Sequence, residues 1–103
     1  MSQPATSYKT ALAQLAKDER YSEVLRHGGL AAGIYAPHES DEAGTHSEDR
    51  LYVILNGSGF FNVDGDRQPF GPGDLLFAEA ETVHNFEGFT PDFAVWAISS
   101  QPS

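Results

Sequence analysis

The sequence contains no cysteine. This absence excludes disulfide bonds, thiolate metal ligands and cysteine nucleophiles together. Any metal or catalytic site must therefore use histidine, carboxylates or other side chains. At 103 residues, the chain has room for one compact domain and not for two. A domain of this size buries only about two-thirds of the surface that its unfolded chain exposes, so a second chain packed against it would help.

Basic residues are scarce, since six Lys and Arg stand against fifteen Asp and Glu, for a net charge of −9. Nucleic acids and anionic membrane surfaces are bound mainly through Lys and Arg, so we expect neither as a partner. No apolar run approaches the roughly 20 residues that a membrane-spanning helix needs. The N-terminus also lacks the basic and apolar segments of a secretory signal. These features predict a cytoplasmic location.

Aromatic residues are plentiful, with seven Phe, four Tyr and one Trp. Each buries roughly 150–250 Å² when enclosed, which is enough bulk for the core of a small β-sandwich or barrel. We expect five of them to lie in the core or in a cavity wall. These are Phe60, Phe61, Phe77, Phe86 and Trp96.

The only predicted helix lies in the N-terminal part of the chain. Residues 1–7 are polar and are predicted to be a flexible segment, followed by a single domain over residues 8–103. Apolar residues recur at helical spacing from Tyr8 to Ala16, which predicts a short helix from about Tyr8 to Lys17. Ser7 is a suitable N-cap.

The rest of the chain is predicted to form short β-strands separated by turns such as Gly28-Gly29, Asn56-Gly57 and Asp64-Gly65. The predicted strands are Tyr21–His27, Leu30–Tyr35, Arg50–Leu55, Gly59–Val63, Asp66–Gln68, Leu75–Ala80, Val83–Glu87 and Phe93–Ser99. Strands at this spacing with one short helix predict an all-β antiparallel sandwich or barrel. Spacing alone leaves an immunoglobulin-like sandwich possible.

Two stretches carry a family resemblance. Thr45 to Gly59 runs from a histidine through a polar segment into an apolar strand that ends on Asn-Gly. Pro72-Gly73-Asp74 then leads through a second strand to Val83-His84. Together these resemble the two motifs of small single-domain bacterial cupins. The resemblance implies the cupin double-stranded β-helix, a jelly-roll barrel with its functional site inside, and a homodimer.

The same resemblance implies a metal site, but this sequence departs from its pattern. The cupin motifs hold three histidines and a glutamate that bind one divalent transition metal. Here the histidine positions correspond to Gly44, His46 and His84, and the glutamate position corresponds to Arg50. A guanidinium offers donors and no acceptor, so Arg50 cannot ligate a metal and would repel one.

A carboxylate near Arg50 is therefore needed to complete a metal site. We expect His46, His84 and Glu48 as metal ligands, with Asp49 or Glu42 as alternative carboxylates. Glu48 or Asp49 could instead pair with Arg50, since both are close to it in sequence. The ion would be Fe, Mn, Zn or Ni, held weakly or not at all, and no nucleotide cofactor is expected. Arg50, Tyr52 and His38 are the expected substrate-binding residues. His46 and His84 could also be ordinary inert histidines of the barrel, and His27 is expected at the surface.

The family's Pro-x-Gly turn is replaced here by Glu79-Ala80-Glu81. Glu81 must either adopt the backbone conformation that glycine would have taken or reshape the turn. The two glutamates are expected to be solvated rather than catalytic.

Three functions fit these observations. The first is a metal-dependent enzyme acting on a small organic substrate through His46 and His84. The second is a metal-free isomerase or epimerase in which Arg50 holds a carboxylate and a histidine moves a proton. The third is a non-catalytic module that binds a small anionic or aromatic ligand. The sequence does not decide whether the protein is an enzyme, because one fold hosts many functions.

Overall fold

The computed structural model describes residues 6–15, 19–37, 40–41 and 43–100. Within them the chain forms one helix followed by eight strands. The elements are α1 (Tyr8–Gln14), β1 (Tyr21–His27), β2 (Leu30–Tyr35), β3 (Asp49–Asn56), β4 (Gly59–Val63), β5 (Asp66–Phe70), β6 (Leu75–Ala78), β7 (His84–Glu87) and β8 (Ala94–Ser100).

The strands form two antiparallel sheets. One has five strands in the order β1-β2-β8-β3-β6, and the other has three in the order β5-β4-β7. The apolar inner faces of the two sheets pack against each other, which is how an antiparallel sheet buries one face. The predicted all-β jelly roll with one short N-terminal helix is confirmed.

The strand predictions differ from the structure only at their ends. The strand predicted to reach Ala80 ends at Ala78, because the backbone turns and Thr82 N–H donates to Glu79 C=O at 3.1 Å. In the other direction, β5 continues beyond Gln68 to Phe70. Pro69 has no N–H to donate, and it is accommodated because β5 lies at the edge of its sheet.

The helix is shorter than predicted. It ends at Gln14, because Leu15 already has an extended backbone with ψ of 129°. Ser7 stands at the N-cap position, but its side chain makes no capping hydrogen bond. Ala11 is the buried residue of the helix, and α1 lies against β2. Residues 16–18, on which the predicted C-terminal end falls, lie outside the described residues.

The core is built from inward-facing residues of both sheets. Its members are Tyr52, Ile54, Phe61, Phe70, Ala78, Phe86, Phe93, Val95 and Ala97. Phe61 and Phe86 are buried as predicted, whereas Phe60 is 37% exposed and Phe77 is 53% exposed. Trp96, the fifth of these residues, is only partly buried and is not a member of this core. The prediction for Phe60 and Phe77 was wrong because successive residues of a strand point to opposite faces. Their neighbours Phe61 and Ala78 take the inward positions.

Phe77 belongs to an apolar area on the outer side of the five-stranded sheet. Leu51 pairs with Phe77 and Val53 pairs with Leu75 across β3 and β6. On the other side of β3, the same two residues pair with Ile98 and Trp96. These six side chains face away from Tyr52, which lies in the core. We call this set, Leu51, Val53, Leu75, Phe77, Trp96 and Ile98, the outer apolar face.

The α1 helix has seven residues. In the part of the chain that the structure describes, no helix is long and apolar enough to cross a membrane.

Candidate functional site

A cavity of about 510 Å³ lies between the two sheets. This volume is within the range of pockets that hold small organic molecules. Five residues predicted for the site line it, namely His46, Glu48, Arg50, Tyr52 and His84. His38 and Glu42, the other candidates from the sequence, lie outside the described residues.

His46 and His84 are brought together by backbone contacts between two segments. Gly44 and His84 exchange backbone hydrogen bonds of 3.3 and 3.1 Å. Glu81 N–H donates to His46 C=O at 2.8 Å. These contacts hold the segment before β3 against the start of β7. The two imidazole rings lie 5.3 Å apart, centroid to centroid.

Tyr52 holds His84 in one orientation. The Tyr52 hydroxyl lies 2.9 Å from His84 Nε2, and His84 Nδ1 lies 3.1 Å from the Thr82 carbonyl oxygen. A carbonyl only accepts, so Nδ1 carries the hydrogen and Nε2 accepts from the hydroxyl. Burial raises the pKa of Tyr52 to about 12, so the hydroxyl remains protonated at neutral pH. His84 is only 6% exposed, and the Tyr52 hydroxyl and the Thr82 carbonyl provide hydrogen-bond partners for both of its ring nitrogens.

Arg50 points into the cavity and forms an ion pair there. Its Nη2 and Nε donate to Glu48 Oε1 at 2.8 and 3.3 Å, and the two side chains are 21% and 17% exposed. The hydrogen bond from Arg50 is the main cause that lowers the pKa of Glu48. Glu48 is therefore ionised at neutral pH, and the pair is a fixed feature of the cavity wall.

Asp49, the alternative carboxylate ligand, has a different role. Its Oδ1 accepts a hydrogen bond of 2.8 Å from the Ala80 N–H. It thereby holds the turn between β6 and β7. Glu81 in that turn has a φ of 65°, so it adopts the conformation that glycine would have taken. Glu79 and Glu81 are exposed as predicted, and so is His27.

His46 has an environment that favours the neutral ring. Burial is the main cause that lowers its pKa, followed by the charge of Arg50 and the proximity of His84. In the described part of the chain, the His46 imidazole contacts the His84 ring and makes no hydrogen bond of its own. A neutral imidazole facing a cavity can accept a proton or a hydrogen bond from a ligand.

Sequence reasoning missed Tyr35 and Asp41, which also line the cavity. The Tyr35 hydroxyl donates to Asp41 Oδ1, and Phe86 N–H donates to Asp41 Oδ2 at 2.8 Å. Burial raises the pKa of Tyr35, and the hydrogen bond to Asp41 adds to this shift. Strand alternation could have placed Tyr35 inward. Nothing local marks Asp41, which belongs to a stretch without periodicity.

The donor set of the described residues does not fit a resident transition metal. Those residues contain no cluster of three or more His, Asp or Glu side chains that could hold an ion. His46 and His84 are only two ligands, and His84 Nε2 already accepts from Tyr52. Glu48 is bound to Arg50, whose charge repels a cation. Arg50 and the Tyr52–His84 hydrogen bond therefore stand against a metal in this cavity.

The family model of the cupin domain matches residues 33–96. This range contains every cavity residue described above. The chain belongs to the cupin family. No curated protein matches the sequence.

Solved structures show the same cupin fold at low sequence identity. The protein TT1209 from Thermus thermophilus superposes with a TM-score of 0.77 at 17% identity, over 97% of this chain and all of that one (100%). KdgF from Halomonas sp. superposes with a TM-score of 0.72 at 20% identity, over 81% of this chain and 78% of that one. A predicted oxalate decarboxylase from Thermotoga maritima superposes with a TM-score of 0.66 at 24% identity, over 80% of this chain and 79% of that one. At these identities the likeness concerns the fold alone.

Proposed function

We propose that this cupin binds a small organic carboxylate in its cavity, with Arg50 as the contact for the carboxylate. The observation that carries the proposal is the inward-facing Arg50 in a chain with only six basic residues. Glu48 takes two of its five N–H donors, so further donors of the same planar group can meet a ligand. Glu48 also fixes the orientation of the guanidinium, which reduces the entropy lost on binding.

The polar groups around Arg50 suit the remainder of such a ligand. Tyr52 and His46 line the same cavity and offer a hydroxyl and a neutral ring nitrogen. If the ligand has an acidic C–H next to its carboxylate, His46 is the group that can accept that proton. Metal-free proton transfer, as in an isomerase or epimerase, is thus the reaction that this cavity favours over metal-dependent chemistry.

The names of similar structures guide only the choice of ligand. Oxalate decarboxylase is named for a carboxylate substrate, which is why carboxylates are the first class to test. Calorimetric titration with the monocarboxylates from acetate to hexanoate, in the presence of EDTA, tests binding. The Arg50→Gln substitution removes the charge-assisted hydrogen bonds of Arg50. It should therefore weaken binding of the carboxylate about tenfold or more.

Arg67→Gln is the matched control for this experiment. Arg67 also pairs with a glutamate, Glu87, at 3.2 Å, but it lies outside the cavity. Equal affinity of wild type and Arg50→Gln would overturn the proposal. If Arg67→Gln lost as much affinity as Arg50→Gln, the effect of charge would be non-specific. That result would also contradict the proposal.

Proton transfer is tested separately from binding. The probe is a ligand such as acetoacetate, in which a neighbouring carbonyl acidifies the C–H next to the carboxylate. These hydrogens should undergo catalysed exchange with deuterium from D2O, as followed by proton NMR. His46→Ala should abolish this exchange while Arg50 still holds the carboxylate. Binding without any exchange in the wild type would assign the protein to the binding modules rather than to the isomerases.

A metal-dependent function is supported by one observation, the 5.3 Å separation of the His46 and His84 rings. It would need at least one further ligand and the displacement of the Tyr52 hydroxyl from His84 Nε2. We retain two further proposals from the sequence, a cytoplasmic location and a homodimer. The outer apolar face is the surface through which we propose that two copies associate.

A further inference from the structure

A β-bulge in β1 changes which side chains of this strand face the cavity. Glu23 pairs with Gly33 of β2, but Leu25 pairs with the next residue, Ala32, so that Val24 is an extra residue in the ladder. In a regular strand, residues three positions apart point to opposite faces. Because of the bulge, Glu23 and Arg26 point to the same face, and they form an ion pair of 2.7 Å.

That face belongs to the cavity already described. Tyr21, Glu23 and Arg26 line it together with Arg50 and Glu48. Two of the six basic side chains of an acidic chain therefore meet one cavity, each next to a glutamate. The Arg26 side chain is 58% exposed and that of Arg50 is 21% exposed. Arg26 thus stands at the opening, and Arg50 stands deeper inside.

Tyr21 lines the same cavity as the two ion pairs. Its pKa is raised chiefly by burial, and the charges of Glu23, Arg50, Arg26 and Glu48 all act on it. Gly33 provides the space for its ring, since a Cβ at that position would lie 2.5 Å from the Tyr21 ring atoms. Tyr21 therefore adds an aromatic ring to the wall of the cavity that also holds the two arginines.

We propose that Arg26 is a second anion-binding residue and that the ligand carries two anionic groups, as a dicarboxylate does. This inference rests on the proposed function, because Arg50 is taken to hold the first carboxylate. Arg26 would hold the second carboxylate at the opening. Bulges recur next to functional sites because they redirect a side chain, and here the redirected side chain is a cation that faces a cavity.

Calorimetric titration of a length series tests this inference. Dicarboxylates from succinate to suberate are compared with monocarboxylates of the same chain length, at fixed ionic strength and with EDTA present. We expect a dicarboxylate of one length to bind about fivefold more tightly than its monocarboxylate partner, the gain of one ion pair at an exposed site. Arg26→Gln should remove this preference, so that the affinity for the dicarboxylate falls by more than the affinity for the monocarboxylate does.

Two further variants make the result specific. Glu23→Gln removes one carboxylate that pairs with Arg26, so it should increase the preference for the dicarboxylate. Arg67→Gln should leave the preference unchanged, because Arg67 has the same kind of exposed glutamate pair, with exposures of 54% and 37% against 58% and 39% for Arg26 and Glu23, but lies outside the cavity.

The outcomes separate this inference from the proposed function. If Arg50→Gln weakens both ligand classes while Arg26→Gln changes nothing, only the second anion position is overturned. If Arg50→Gln weakens neither class, the proposed function fails as well. No binding of any of these acids by the wild type up to about 10 mM would overturn both.

Discussion

Arg50 and Glu48 form their ion pair at the place where the cupin motif has a carboxylate ligand. The opposite charges of Arg50 and Glu48 attract each other, whereas a divalent cation at this site would be repelled by the guanidinium. The repulsion between them amounts to several kcal/mol at an effective dielectric constant of about 20. A substitution that removes this charge therefore changes what the cavity can bind.

A metal site can be rebuilt from the missing motif residues. Arg50→Glu adds an oxygen ligand, and Gly44→His adds an imidazole at a position where a Cβ meets nothing within 4 Å. Gly44 is also paired through its backbone to His84, which places the new ring near the other two. We expect the double variant to bind Zn(II), Mn(II) or Ni(II) at least about tenfold more tightly than either single variant.

Calorimetric titration of the wild type, the two single variants and the double variant with each metal ion measures these affinities. Gly71→His is the matched control, because a Cβ there also meets nothing within 4 Å but Gly71 lies outside the cavity. Equal affinities across wild type and variants would contradict the inherited ligand positions.

His46 makes stability depend on pH. Its pKa is lowered in the folded protein, mainly by burial, so the unfolded chain binds more protons than the folded one once the pH falls below about 6.5. The free energy of unfolding should therefore decrease as the pH falls from about 6.5, and this component should level off below the folded-state pKa. His46→Gln should reduce that decrease.

Urea unfolding at several pH values between about 5 and 7.5 measures this component. His27→Gln, at an exposed position of β1, is the control that should keep the wild-type slope. A slope unchanged in His46→Gln would mean that the imidazole titrates alike in both states.

At the scale of elements, the turn between β6 and β7 positions the site. Asp49 Oδ1 accepts from Ala80 N–H, and Glu81 N–H donates to the His46 carbonyl, both at 2.8 Å. The turn thus fixes the segment that carries His46. Its geometry requires a φ of 65° at Glu81, a region that costs a residue with a side chain roughly 1–2 kcal/mol.

Glu81→Gly should therefore stabilise the protein. Relief of the backbone strain exceeds the roughly 0.5–1 kcal/mol that glycine costs through the entropy of the unfolded chain, so a net gain of about 0.5–1 kcal/mol is expected. Denaturant unfolding gives the value. Glu79→Gly, at a position that is exposed and has no positive φ, should instead destabilise. A loss of stability in both variants would contradict the strain argument.

The strands could be predicted because their signals are local. Alternation and glycine turns predicted β1, β2 and β4 with the bounds that the structure has. The bulge at Val24 could not be predicted, because it depends on the pairing of β1 with β2. It is this pairing that makes Arg26 face the cavity, although simple alternation would give that face to Leu25.

At the scale of the whole molecule, the outer apolar face departs from an ordinary polar surface. Leu75 is 64% exposed, Phe77 53% and Leu51 36%. They carry no charge in a chain with a net charge of −9, so two copies can meet here without bringing like charges together. A symmetric pair would use the same face on both chains, as two-fold dimers do.

Phe77→Glu should disrupt this dimer, because it places two like charges in an apolar interface. Light scattering should show a wild-type mass of about twice the 11.2 kDa of the chain and a variant mass equal to that of one chain. Phe60→Glu is the control, since Phe60 is an exposed phenylalanine of the other sheet and should leave the mass unchanged. A wild-type protein that stays at 11.2 kDa at micromolar concentrations would contradict the homodimer.

The sequence by itself determined the all-β architecture, the turns and the two motifs that carry His46 and His84, because these depend on neighbours along the chain. Only the tertiary structure decided what those residues do. Tyr52 meets His84 across 32 positions, and Asp41 reaches Phe86 across 45. Contacts over such separations follow from how the sheets pack. Glu48 and Arg50 are only two positions apart, so their pairing is local. Only the tertiary structure shows that this pair lies inside the cavity and that a bulge makes Arg26 line the same cavity.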